Sequence, residues 1–297
     1  MIHIEICLSR YIYGYPLLWR LYMFGATHTR KAMSKSKLAD LSIAVATMHG
    51  RGLVSRFFNQ PYVIVDQGDH PPSSAASFQN YHFSTSRGLS ISRNEALRIC
   101  KTKYLLFSDD DVIHIEDGIQ KIVDEFERTG ADILTFSIRT PEGGAFKEYR
   151  DHPFIHTPRS LFKVNSIEIA VRVAAVRRSG LRFDTRFGLG AEHPTGEEII
   201  FLQDAHRTGL DIRYAPVPIV IHPRESSGSN LKGNEALIQA KGAMFGRIFG
   251  TMAYLYCTAF AAKHYRNSDY SFPKFLCLIL KGCRTFLRSS EYKSISQ

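Results

Sequence analysis

No run of about twenty residues in this sequence is free of charge, so no stretch reads as a helix long enough to span a bilayer. A clean secretory signal is also missing. The aromatic-rich start, Tyr11 to Phe24, lacks an uninterrupted apolar core and a small-residue cleavage site. Cysteines are few and odd in number: Cys7, Cys100, Cys257, Cys277 and Cys283. Their spacing matches no zinc pattern or paired framework, so they are expected to be reduced and structural, which points to a cytoplasmic protein. Lys/Arg blocks interleaved with aromatics are absent too, which ranks a nucleic-acid binder last.

What is present is an ordinary globular balance, 44% apolar and 22% charged over 297 residues. The formal charge of +10 calls for an anionic partner such as a nucleotide or an acidic membrane surface. The most informative stretch is KYLLFSDDDV, residues 103–112. A short apolar run bounded by polar residues reads as a buried strand. It ends in Asp109, Asp110 and Asp111, three like charges that raise one another's pKa unless a cation sits among them. Carboxylate oxygens suit Mg²⁺ or Mn²⁺, held together with substrate phosphates. A single Asp there would read as a helix cap.

Leu41–Ala46 and Tyr62–Val65 are further strand-like runs, ending at Thr47 and Asp66, with His82–Ser84 as a brief third. The segment after Asp66 is a Gly/Pro/Ser loop. Residues 88–100 predict a helix entered through Ser92 or Asn94. Ile115, Ile119, Ile122, Val123 and Phe126 predict another, stopped by Gly130. A strand over 132–138 follows. The second half predicts a long strand or strand pair over 167–176, a loop with aromatic anchors over 181–187, a helix begun by Glu197 and Glu198, and two short strands at 212–214 and 219–221. Strands alternating with helices imply an α/β domain with a mixed, mostly parallel sheet. Residues 236–262 form an apolar helical stretch. Residues 272–289 place Lys274, Lys281, Arg284 and Arg288 on one helical face, either a solvated face or a site for anionic lipid.

The ordered set LSIAVAT, YVIVDQGD, GLSISRNEALRICKTKYLLFSDDDV, FGLGAEHPTGEEIIFL and a terminal IHP resembles the family 2 glycosyltransferases of GT-A fold, over roughly residues 41–225. The resemblance implies a GT-A catalytic domain at 41–225, flanked by an N-terminal extension at 1–40 and a helical C-terminal region at 226–297 whose basic face is either solvated or membrane-associating. Met33 offers an alternative start to that extension. It implies a nucleotide-sugar site with Thr47, Asp66, Arg93, Asp109 and Asp110, Arg93 being the phosphate contact. The metal, Mn²⁺ or Mg²⁺, falls to Asp109 and Asp111, with His222 as a further contact. Glu198 takes the place of the family's catalytic base, one methylene longer than the usual Asp, and Glu197 is the reserve. The segment after the first strand is shorter than is common in the family, so the nucleotide is left open, with a UDP-sugar as the first expectation. The implied activity is inverting, metal-dependent transfer of a hexose to a hydroxyl of a glycan or lipid-linked acceptor. Cell-surface polysaccharide biosynthesis at the inner face of the cell membrane is the expected setting. The competing readings are another metal-dependent nucleotide enzyme, such as a nucleotidyltransferase, and a non-catalytic membrane-surface scaffold.

Overall fold

The computed structural model describes residues 39–48, 61–71, 80–223 and 230–289. The expectations for the N-terminal extension and for the shortened segment after the first strand lie outside the described residues.

Among the described residues nine strands form one mixed sheet. Leu41–Thr47 (β1), Tyr62–Asp66 (β2), Tyr81–Phe83 (β3) and Tyr104–Asp109 (β4) run parallel in the order β3-β2-β1-β4. The sheet continues through β8 (Ile169–Arg172), β6 (Ile133–Arg139), β9 (Ile212–Ile221) and β5 (Ile113–His114), with β7 (Phe154–Ile155) on β9. β8 is antiparallel to both β4 and β6, so β4 and β6 share a direction, and β9 is parallel to β6. The carboxyl ends of β1, β2, β4, β6 and β9 therefore lie along one edge, where open α/β sheets bind their ligands.

Alternation along β1 sends Leu41, Ile43 and Val45 to one core and Ala44 to the other. On the first face sits Glu116–Thr129 (α2), whose Ile122, Val123 and Phe126 are fully buried and whose end is set by Gly130 at φ 70°. On the second sit Leu89–Ile99 (α1) and Glu197–Arg207 (α5), through Leu97, Phe201, Leu202 and Ala205. A third core joins Ile199 and Ile200 of α5 to the C-terminal helices Glu235–Phe249 (α6), Ala253–His264 (α7) and Phe272–Arg288 (α8).

Several local expectations are corrected. α1 starts at Gly88, not at Ser92 or Asn94. Asn94 instead clamps the backbone N–H and C=O of Phe183 at 2.8 Å each. Residues 167–176 are not a long strand: a 3₁₀ turn (Ser166–Glu168) enters β8, and the chain then coils into Val173–Arg178 (α4). Pro158–Leu161 makes the one-turn helix α3. The two short strands at 212–221 are one, because Pro216 and Pro218 sit at an irregular register against β6 and do not break it. The apolar stretch 236–262 is two helices, split at Gly250 (φ 57°).

α8 buries Phe275, Leu278, Ile279, Cys283 and Phe286, so its apolar face is spent on the protein. Lys274 pairs with Glu235 at 3.0 Å, and Lys281, Arg284 and Arg288 form an exposed face. α6 and α8 cross at near contact. A Cβ on Gly242 would lie 1.9 Å from the Ile279 carbonyl oxygen, and one on Gly282 would lie 1.9 Å from that of Gln239. No described helix is long and apolar enough to cross a membrane.

Candidate active site at the acidic sheet edge

Register places Thr47 beside Asp66, and Ala46 beside Asp109. Thr47 Oγ1 donates to Asp110 Oδ2 at 2.7 Å, which ties the end of β1 to the acidic turn after β4. Asp66 is fully buried, and its two oxygens accept from Gly68 N and Tyr81 Oη at 2.8 Å each. The turn is tight: a Cβ on Gly68 would stand 2.4 Å from the Met48 carbonyl oxygen. Gln67 holds the start of α1, its Oε1 accepting from Gly88 N at 3.2 Å and its Nε2 donating to Ser86 O at 2.7 Å. Each Asp66 oxygen thus accepts one bond from the chain, one from the turn and one from β3.

Arg93 links the two halves of the site. It is 2% exposed, and Nη1 donates to Glu197 Oε1 at 2.7 Å while Nη2 donates to Asp109 Oδ1 at 3.2 Å. Its guanidinium carbon lies 5.6 Å from the ring centroid of Phe183, which in turn stacks on Phe201 at 4.1 Å. Arg93 Nε is buried without a partner. Arg93, expected as a phosphate contact, bridges the acidic strand end and α5 in this structure.

Glu197 and Glu198 open α5 behind Gly196, whose φ of 89° favours glycine and whose Cβ would meet Met244 Sδ at 2.7 Å. Acids in a first helical turn suit the dipole. The two part company there: Glu197 is buried against Arg93, whereas Glu198 keeps part of its surface open. Burial, then repulsion from Glu197, pushes the Glu198 carboxyl up to about 8, against the pull of Lys241 and Arg93. Lys241, on α6, donates to Thr195 Oγ1 at 3.0 Å. Lys241, Tyr81, Gln67 and Phe183 are site neighbours that the sequence reading missed. Only Phe183 left a signal, as an aromatic anchor in its loop.

At the other end of the edge, Asp111 is exposed, and its Oδ2 lies 3.6 Å from His222 Nε2. His222 Nδ1 must donate to the Pro223 carbonyl oxygen, at 2.6 Å, which leaves Nε2 with its lone pair turned toward Asp111 when the ring is neutral. Metal-binding histidines are commonly oriented by such a bond. Burial also raises the pKa of Asp109, with Arg93 opposing and Asp111 adding to it. Among the described residues no three His, Cys, Asp or Glu side chains already converge as a metal cluster. The donors present, the Asp111 carboxylate and an imidazole nitrogen of His222, fit a divalent cation whose other ligands come from a diphosphate.

Residues 60–184 match the family described as Glycosyl transferase family 2. No curated protein matches the sequence. Among solved structures, S. aureus TarS superposes with a TM-score of 0.54 at 14% identity, over 77% of this chain and 44% of TarS. TarS 1-349 gives 0.52 at 14% identity over 85% of this chain and 74% of its own. TarS 1-349 in complex with UDP-GlcNAc gives 0.51 at 13% identity over 87% and 76%. The chain thus spans less than half of that TarS chain. At such identity the structural likeness speaks for the fold. The family match runs from β2 past α4, less than half of the chain, and includes the acidic turn after β4; over those residues the chain is similar to the family 2 glycosyltransferases.

Proposed function

We propose that the protein transfers a sugar from a nucleoside-diphosphate donor to a hydroxyl of a glycan or lipid-linked acceptor, with inversion, in the making of a cell-surface polysaccharide. The carrying observation is the single guanidinium of Arg93 bridging Asp109 and Glu197, which sets the acidic edge beside the first turn of α5. TarS, of similar fold, is known with UDP and with UDP-GlcNAc, which favours a UDP-sugar donor here.

In this reading Asp111, His222 and Asp109 would hold Mn²⁺ or Mg²⁺. A cation bound there would neutralise charge on the departing diphosphate. Glu198, partly open, takes the proton of the acceptor hydroxyl. The oxygen forms its bond to the anomeric carbon as the carbon–phosphate-oxygen bond breaks, and the electron pair leaves with the diphosphate. Attack from the opposite face inverts the configuration, as in single-displacement sugar chemistry. A general base is most useful when its pKa lies near the working pH, and Glu198 at about 8 meets that condition. Glu197, already bound to Arg93, positions the turn.

The test is a thermal-shift and product screen of nucleotide-sugars with and without Mn²⁺. A donor that binds the native state raises its melting temperature by mass action. A metal-dependent shift with release of nucleoside diphosphate is expected. A complete screen with neither shift nor release would overturn the reading. Asp111→Ala should remove the metal dependence while leaving the fold intact.

A further inference from the structure

Of the seven large apolar side chains exposed among the described residues, four fall within five positions: Met252, Tyr254, Leu255 and Tyr256. They open α7, a helix with apolar residues all round its circumference. Ala253, Cys257 and Ala261 face the third core, and Leu255, Ala259 and Ala262 face outward. A helix that is apolar on every side is covered on every side in its working state. Among the described residues, one side of α7 is covered by α6 and α8; the other, led by Leu255 at 70% exposure, is not.

The charge around this face selects its occupant. From 236 to 268 the sequence contains no Asp or Glu, while exposed Lys263 and Arg266 follow directly at the end of the apolar face. Tyrosines beside a leucine, with cations at one end, are the side chains that settle at a lipid headgroup boundary.

We propose that the outer face of α7 seats the protein on an anionic membrane surface, with Met252 and Leu255 entering the acyl boundary and Lys263 and Arg266 meeting lipid phosphates. This shifts the membrane contact from α8, whose apolar face is already used, to α7. The proposal stands apart from the catalytic reading, because none of these residues touches the acidic edge.

The experiment is co-sedimentation of the full chain with phosphatidylcholine vesicles, with and without about one-third phosphatidylglycerol. Native protein should bind the anionic vesicles. Leu255→Glu should cut partitioning about tenfold, and Leu255→Ser should cut it less. Lys263→Glu with Arg266→Glu should erase the preference for anionic lipid. Melting temperature and nucleotide-sugar turnover in solution should stay unchanged in all three variants. Three results would overturn the proposal: no vesicle binding by the native chain, binding indifferent to Leu255, or a concentration-dependent dimer that Leu255→Glu dissolves without any lipid effect.

Discussion

Glu198 carries two measurable signatures. As the proton acceptor it must be ionised, so kcat/KM should climb with pH and level off above about 8. Glu198→Gln should lose about 100-fold or more in kcat with donor affinity kept, and a loss confined to KM would reassign the base. The same group affects stability. Its ordinary value is 4.5, and below that pH both folded and unfolded chains hold the proton. Between 4.5 and about 8 only the folded chain holds it, so stability falls as pH rises and flattens above 8. The melting-temperature advantage of Glu198→Gln should therefore be absent in acid and grow through that window. Arg93 is the second sensitive residue. Arg93→Met leaves Glu197 and Asp109 without their shared partner and should cost about 3 kcal/mol in urea unfolding. A change within about 0.5 kcal/mol would show that the bridge contributes little.

At the scale of elements, the α6–α8 crossing depends on two residues without side chains. Gly242→Val or Gly282→Val forces the helices apart and should destabilise the C-terminal helices by about 2 kcal/mol, seen as early proteolysis there. Neither glycine stood out in the sequence, because a close approach between helices leaves no local pattern. β1, β2, β4, α2 and α5 were legible, since their apolar spacing matches one period and their ends carry Asp66, Asp109 or Gly130. Residues 167–176 were not: IEIAVRVAAV is rich in β-branched residues, yet tertiary packing closes Val173–Arg178 into a helix. In the site, the acids were legible by position at strand and helix ends. What each one faces was not. Arg93 was expected only as a phosphate contact, and its bond to Glu197 can be read only once α5 is placed beside it.

For the whole molecule, the C-terminal helices are part of the machinery of the sheet domain. Arg247 of α6 reaches Asp184 at 2.9 Å and Asp204 at 2.6 Å, Arg207 of α5 donates to the Ile248 carbonyl, and Met244 underlies Gly196. Removing residues 230–297 would uncover Phe187, Ile199 and Ile200 and take Lys241 from Glu198, so a truncated chain should be insoluble or inactive. A shortened chain with native turnover would contradict this. The sheet has its own acid limit. His156, bonded to Thr135 Oγ1 at 2.7 Å and Ser160 Oγ at 2.9 Å, is pushed by burial and then by Lys147 down to about 4. The buried ring is neutral, so its contribution is present above 6.5 and lost as pH falls toward 4. His156→Gln should flatten that part of the stability profile.

Because one rigid, planar guanidinium bonds Asp109 at one nitrogen and Glu197 at the other, the separation of the two acids is set by its width. Sugars differing by one bulky substituent should then diverge sharply in kcat, while the bare nucleoside diphosphate binds alike in every case. Parallel changes in the two measurements across a donor series would show that the ruler lies elsewhere.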